Sequence, residues 1–335
     1  MRNVTAEQAA ALLRSKDRIL ILTHLNPDGD TLGSGFALLH ALQHLGKTAR
    51  VVCGDKIPPK YDYMRRDLQG EADFQEAFVV AVDIADTKLL GARLEAAYGE
   101  RVDLCIDHHL SNTKYADALF LEECAATCEL IYRVIAALGV EITPVIADCI
   151  YTGLSTDTGC FRYSNVTPET LELAADMLRS GANFDDINRV MFETKTRTYL
   201  KLEALVLDSL ELLFGGRCAL VTITQEMFRQ SGSNETECDG IASLPRKIEG
   251  VSVGLTLRER EDGSFKVSVR TYAPYDASAI CAKMGGGGHA RAAGCTLEGT
   301  LEAAKARVLG VLRDVLGTQD SLKAEGSQGG KDLVV

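Results

Sequence analysis

Positive charge is scarce in this sequence, long apolar runs are missing, histidine is rare, and no two cysteines form a Cys-x-x-Cys pair. Each shortage removes a class of function. Over 335 residues, 36 Lys and Arg face 47 Asp and Glu, for a net charge of -11. A protein that coats long nucleic acid draws its affinity from many cationic contacts to phosphates, so the balance argues against that role. No uninterrupted apolar run reaches the roughly 20 residues needed to span a bilayer. The polar start Met1-Arg2-Asn3-Val4-Thr5, with Thr5 and Gln8 at capping-box spacing, opens a helix rather than a secretory signal. The ten cysteines sit mostly in apolar segments, as Cys105, Cys149 and Cys218 do, which implies reduced, buried thiols in a cytoplasmic protein. Cys124 and Cys128, four apart, are expected on one helix face, where core packing outweighs a soft-metal role.

What is present is 46% hydrophobic and 25% charged, an ordinary globular composition long enough for two domains. The acidity is uneven. Residues 1–214 carry 21 basic against 32 acidic side chains, while 215–317 carry 13 against 12. An acidic first part suits cations, and a neutral second part is where anionic ligands can be gripped.

The chemistry concentrates at the ends of apolar runs. Ile19-Leu20-Ile21-Leu22-Thr23 collapses into His24-Leu25-Asn26-Pro27-Asp28-Gly29-Asp30, reading as a buried strand that ends in a turn. Such a turn lets His24, Asp28 and Asp30 converge on a metal, although Asp30 before the apolar run Leu32 to Leu42 could equally cap a helix. Phe78 to Val82 ends in Asp83, and Val102 to Ile106 runs into Asp107-His108-His109. In open parallel sheets ligands bind outside the carboxyl ends of strands, and three strands here deliver acids or imidazoles at that end. Four of the six histidines (His24, His108, His109, His289) fall in these motifs; His40 and His44 are expected on a helix surface. Asp157, in Ser155-Thr156-Asp157-Thr158-Gly159, is a fourth acidic position that by itself reads as a turn residue.

Helical spacing from Thr31 to Leu45 followed by a strand from Thr48 to Val52 completes a βαβ unit, hence a parallel sheet. An irregular stretch over 55–75 follows. Helices are expected over Ala125 to Leu138, Thr143 to Leu154 and Thr167 to Met191, then an amphipathic connector from Thr196 to Leu213. Beyond Gly215-Gly216 the pattern turns to strands at Cys218 to Thr224, Val251 to Arg258 and Phe265 to Arg270. Gly285-Gly286-Gly287-Gly288-His289 comes next, with a helix expected from near Ala290 and another from Leu301 to Leu316. The fold class is α/β: an N-terminal parallel-sheet domain (1–195), a helical connector (196–214), a smaller α+β domain (215–317) and a disordered tail (318–335).

This ordered set, His24-x-x-x-Asp28-x-Asp30, Asp83, Asp107-His108-His109, Asp157 and the Gly-rich segment ending in His289, resembles the DHH phosphoesterase superfamily. It is most similar to the stand-alone branch of nano-RNA hydrolases and 3'-phosphoadenosine-5'-phosphate (pAp) phosphatases, over nearly the whole chain to Gly317. The resemblance implies two divalent cations, Mn²⁺ by the mixed imidazole and carboxylate donors, which clamp a phosphoryl oxygen and supply a nucleophile near neutral pH. It implies that Asp83 bridges them, that His24 and Asp28 complete one position, and that Asp30, His108 and Asp157 complete the other. By the same resemblance Asp107 orients a ligand and His109 faces the substrate as a catalytic group. Arg270 and the Gly286-Gly287-Gly288-His289 segment grip phosphate or base, with Arg162, Asn112 and Arg291 as further substrate contacts.

The implied substrates are very short single-stranded RNA and pAp, admitted to a cleft between the domains, without membrane or long nucleic acid as partner; a homodimer is compatible with it. The alternatives are a phosphodiesterase for c-di-AMP or linear pApA and pGpG, an inorganic pyrophosphatase, a RecJ-like exonuclease and a nucleotide sensor without turnover. Length, acidity and the lack of an added strand-binding module speak against the RecJ-like reading. The filled ligand set speaks against a silent sensor.

Overall fold

The computed structural model describes residues 1–68, 74–238 and 240–326. The chain divides into two compact units, Met1–Thr194 and Lys195–Val335.

In the first unit the elements run β1 (Arg2–Asn3), α1 (Ala6–Ser15), β2 (Ile19–Thr23), α2 (Gly29–His44), β3 (Ala49–Cys53), β4 (Phe78–Val82), α3 (Ala92–Tyr98), β5 (Leu104–Asp107), β6 (Ala118–Leu121), α4 (Thr127–Leu138), α5 (Pro144–Asp157), α6 (Pro168–Arg179) and α7 (Phe184–Asn188). The strands form one sheet in the order β1-β6-β5-β4-β2-β3, with every pairing parallel. Both faces of β2 and β4 are buried, which is why these strands read as unbroken apolar runs. One face packs on α1, α2, α4 and α5, the other on a smaller cluster that includes Leu94 of α3. The chain leaves β2 toward β3 on one side and returns to β4 on the other, so the order reverses between β2 and β4. That is the switch point where α/β sheets bind ligands.

Local chemistry sets the helix starts. Thr5 closes a capping box with Gln8, and Thr143 and Thr167 cap α5 and α6, each with proline in the first turn. Asp28, not Asp30, caps α2: its Oδ1 accepts from the amides of Asp30 and Thr31. Asp157 is the last residue of α5 rather than a turn residue beyond it.

Other expectations change. His40 is buried, its Nε2 bonded to the Met64 carbonyl at 2.8 Å, because α2 is covered on all sides. Cys124 lies before α4 and not on a helix face with Cys128, since that helix begins only at Thr127. The helix expected through Met191 breaks after α6, where Ser180 is the C-cap, and resumes as α7. Of the irregular stretch, Pro59–Arg65 is a 3-10 helix and 69–73 lie outside the described residues.

The second unit holds α8 (Arg197–Asp208), β7 (Glu211–Leu213), β8 (Cys218–Ile223), α9 (Gln225–Ser231), β9 (Val253–Glu259), β10 (Phe265–Thr271), α10 (Ala277–Ala282), β11 (Gly287–His289), β12 (Ala292–Leu297) and α11 (Leu301–Gly326). They build a mixed sheet in the order β11-β12-β10-β9-β8-β7. The segment read as a connector is part of this unit: Tyr199, Leu202 and Val206 of α8 pack on Val221, Ile223 and Phe228. The opposite sheet face is closed by α10 and α11. Instead of a helix from Ala290, the chain forms a hairpin of β11 and β12. Here Gly286 is required by close approach, since a Cβ on it would lie 2.2 Å from the Gly294 carbonyl oxygen. The last helix runs past Leu316 to Gly326 over a stretch expected to be disordered, where Leu, Lys, Ala and Glu favour helix; 327–335 lie outside the described residues.

A single glycine tests the packing of α2, α4 and α5. A Cβ on Gly153 would lie 2.2 Å from Cys128 Sγ and 2.7 Å from Asp30 Oδ1. Gly to Ala in a helix ordinarily gains about 0.5–1 kcal/mol. Here overpacking dominates, and Gly153→Ala should destabilise the first unit by about 1–3 kcal/mol, read as a lower urea midpoint at unchanged slope. A rise in midpoint would show that the three helices are not locked together.

Candidate metal centre

Asp83 follows β4 directly and takes a left-handed backbone, φ +60°, that few non-glycine residues adopt. Its amide still donates to the Ile106 carbonyl, so the backbone turns only after the last ladder bond. The turn after β2 is tied to the same place: Thr31 Oγ1 accepts from the His24 amide and donates to the Val82 carbonyl. His24 and Asp83 are thereby held at neighbouring strand ends on either side of the switch point.

Three groups of three donors converge here, and two of them share Asp83, one of these being Asp83, His108 and His109. His24, Asp28 and Asp83 place one donor atom each within 4.8 Å of one another, and Asp30, His108 and Asp157 do the same. His24 Nε2 lies 3.5 Å from Asp83 Oδ2 and 3.6 Å from Asp28 Oδ1. His108 Nε2 lies 3.5 Å from Asp157 Oδ2 and 3.7 Å from Asp83 Oδ1.

The imidazole tautomers decide whether this set fits cations. His24 Nδ1 is 2.7 Å from the Leu25 carbonyl oxygen and His108 Nδ1 is 3.0 Å from that of Cys124. A carbonyl only accepts, so Nδ1 carries hydrogen in both rings and the neutral ring offers an Nε2 lone pair toward carboxylates. His108 Nε2 is buried with no hydrogen-bond partner. A buried lone pair facing acceptors is unfavourable unless a cation or proton lies between them, so the donor set fits divalent cations.

The electrostatics agree. Burial pushes Asp30 up to about 7, with the charges of Asp83 and Asp28 adding to it. Burial likewise pushes Asp157 up to about 10, helped by Asp30, Asp28 and Asp83. Burial opposes charge on His24, but the Asp28 and Asp83 carboxylates outweigh it and raise the ring to about 11. Without cations the cluster holds protons in their place.

Asp107 is fully buried beside this centre. Its Oδ1 accepts from His109 Nδ1 at 2.8 Å, and its Oδ2 from Asn112 Nδ2 at 2.7 Å. The hydrogen bond that His109 donates to Asp107 raises the ring to about 9 against the effect of burial, with Asp83 contributing. Asp107 therefore orients His109. Asn112, expected to touch substrate, is buried and bonded to Asp107 and the Ile84 carbonyl, because the tight turn after His109 folds it inward. Arg162 is exposed near the end of α5, its Nε bonded to the Gly159 carbonyl.

In the second unit Arg270 pairs with Ala292, and Ala292 with His289, so Arg270 and His289 stand in one row on one sheet face with a small side chain between them. Gly287 and Gly288 are exposed on edge strand β11, and Gly286 is half-buried before it. The helix start expected after the Gly-rich segment is not formed among the described residues, and strand β11 stands at Gly287–His289. Arg291 is tied to the Tyr275 carbonyl at 2.6 Å, holding the turn between β10 and α10.

Reading the sequence did not single out Thr127 or the backbone amides at the start of α4. The Thr127 and Cys128 amides donate to the two oxygens of Asp30 at 2.6 and 2.9 Å, and Thr127 Oγ1 donates to Asp83 Oδ1 at 2.9 Å. The available signal was a helix start at Ala125-Ala126 without a polar capping side chain, so its amides need acceptors from elsewhere.

Residues 18–154 match the model of the DHH family, N-terminal domain, and 218–317 that of the DHHA1 domain. Over 310 residues the chain is 36% identical to the bifunctional oligoribonuclease and PAP phosphatase NrnA of Thermus thermophilus, spanning 89% of this chain and 90% of that one. An exopolyphosphatase-related protein of Bacteroides fragilis has TM-score 0.83 at 25% identity, covering 95% of this chain and 97% of that one. RecJ of Thermus thermophilus in complex with Mn²⁺ shares the fold, with TM-score 0.55 and 18% identity over 92% of this chain and 55% of that one.

The raised groups fix the sign of the pH dependence. Asp30, Asp157, His24 and His109 all bind protons more tightly folded than unfolded. In chelator, their stabilising contribution is present at acid pH and is lost as pH rises through the folded values, first near 7 for Asp30. Cations displace these protons, so affinity should rise about tenfold per pH unit for each proton released. The melting-temperature gain from Mn²⁺ over chelator should therefore be larger at pH 8 than at pH 6; an equal gain would contradict the assignment.

Proposed function

The chain belongs to the DHH family, and on that premise we propose that it is a two-cation phosphohydrolase that degrades very short oligoribonucleotides to mononucleotides and converts pAp to AMP. The observation that carries the reading is the Asp83 carboxylate between two imidazole Nε2 atoms, those of His24 and His108, which face its opposite oxygens. Asp28 would complete the position at His24, and Asp30 and Asp157 the position at His108. Divalent cations bound there would polarise the phosphoryl group, lower the pKa of attacking water and stabilise the leaving oxygen. Mixed imidazole and carboxylate donors favour Mn²⁺ over Mg²⁺.

The chain's own residues supply the remaining parts. Asn112 holds Asp107, Asp107 holds His109 protonated, and His109 delivers a proton to the leaving oxygen. Arg270 and His289, in one row of the second unit, offer a planar fork and an imidazole to a substrate phosphate or base. The curated relative named as an oligoribonuclease and PAP phosphatase supports that choice of substrates. Ten unbridged thiols support a cytoplasmic setting, and no helix among the described residues is long and apolar enough to cross a membrane.

Product analysis on Mn²⁺-loaded protein given an RNA dinucleotide, pAp and c-di-AMP in parallel should show mononucleotides and AMP from the first two. Preference for c-di-AMP would move the protein into cyclic-dinucleotide turnover, and tight binding with no cleavage would make it a sensor. Asp83→Asn keeps side-chain volume and tolerates the left-handed backbone. It should lose roughly 10³-fold or more in kcat while unfolding at a similar temperature in chelator. Near-native turnover in that variant would contradict the shared-ligand role.

A further inference from the structure

Three of the six candidate ligands are touched by one short segment, Cys124 to Cys128, and a fourth, Asp157, is linked to it through Asn165. The Cys124 carbonyl accepts from His108 Nδ1 at 3.0 Å. The Ala125 carbonyl and the Asp157 carbonyl share the Asn165 side-chain amide, at 3.1 and 3.2 Å. The Thr127 and Cys128 amides hold both oxygens of Asp30, and the Thr127 hydroxyl reaches Asp83. Thr127 is fully buried and 44 residues from Asp83 in the chain, so this bond ties the end of β4 to the start of α4.

The hydroxyl acts on the atom that matters. Apart from the imidazoles, Thr127 is the one donor among the described residues to the Asp83 carboxylate, and it binds Oδ1. Oδ1 is also the oxygen that faces His108, whereas Oδ2 faces His24. Rotation of the carboxylate would turn either oxygen away from its imidazole. With Oδ1 pinned, the two oxygens stay divided between the two groups.

We propose that Thr127 is a positioning residue that sets Asp83 to bridge, and so makes the second cation position of the centre. The proposal rests on the two-cation reading. Its test uses Thr127→Val, which keeps the shape and the backbone amide to Asp30 but removes the hydroxyl, with Thr127→Ser as the conservative variant.

The full chain is titrated with Mn²⁺ by calorimetry and followed by electron paramagnetic resonance, before any substrate is added. Wild type and Thr127→Ser should bind two Mn²⁺ and show the spectrum of an exchange-coupled pair. Thr127→Val should bind the first within about twofold of wild type and the second about 10–100-fold more weakly, with a six-line mononuclear spectrum at one equivalent or more. With pAp, kcat should fall while KM stays near wild type, and excess Mn²⁺ should restore kcat. Two Mn²⁺ bound by Thr127→Val with unchanged affinity and a coupled spectrum would overturn the proposal. So would a wild type that binds fewer than two, which would defeat the two-cation reading as well. If Thr127→Val fails to fold, the same titration on Thr127→Ala decides by the same criteria.

Discussion

Mutual repulsion among carboxylates is the constraint on which the rest of the first unit depends. Asp28 and Asp83, and Asp30 and Asp157, bring donor atoms within 4.8 Å of each other at least in part inside the protein. Two like charges about 4 Å apart repel by about 4 kcal/mol at an effective dielectric of about 20, more than a typical hydrogen bond returns. A fold selected for stability alone would not gather them. The sheet does so at its switch point, where β2 and β4 end side by side and no further strand pairing competes for the space. What offsets the repulsion within the chain is a set of donors: the α4 amides on Asp30, the amides at the start of α2 on Asp28, and two imidazoles.

The arrangement also explains why the neighbourhood is rigid. Asp30 lies against Gly153 and Cys128, so α2, α4 and α5 meet around one carboxylate with no room for a methyl group. Asp107 is satisfied by His109 and Asn112 on its two oxygens, leaving little freedom in the ring that it holds. Ligands and orienting partners are thus fixed by packing before any cation arrives, which keeps the reorganisation on binding small.

The candidate ligands were legible because the residues with charge stand directly after unbroken apolar runs, and a buried strand advertises its end. His24, Asp83 and His108 needed only that pattern. Asp30 was misread as a possible cap because Asp28 and Asp30 flank the same helix start, and composition does not say which oxygen meets which amide. Asn112, just beyond a motif, was expected to contact substrate, yet the turn folds it under Asp107. Strand β1 has two residues and β6 four, too short for a period to register, and β1 is paired only through β6, more than a hundred residues away. The Gly-rich segment before His289 carries no side-chain pattern, and the helix expected after it gave way to a hairpin because β12 supplied a partner. Thr127 was invisible for a different reason: its importance lies in contacts to Asp83 and to Asp30, the latter 97 residues away.

The central claim is that Asp83 is shared by two cations, one at His24 and one at His108. Crystals of the full chain grown with Mn²⁺, with anomalous difference maps collected above the manganese edge, test it most directly. The account predicts two peaks in the first unit, one bonded to His24 Nε2 and the other to His108 Nε2, with one Asp83 oxygen or the whole carboxylate between them. A single peak, or two peaks that leave Asp83 unligated, would contradict it.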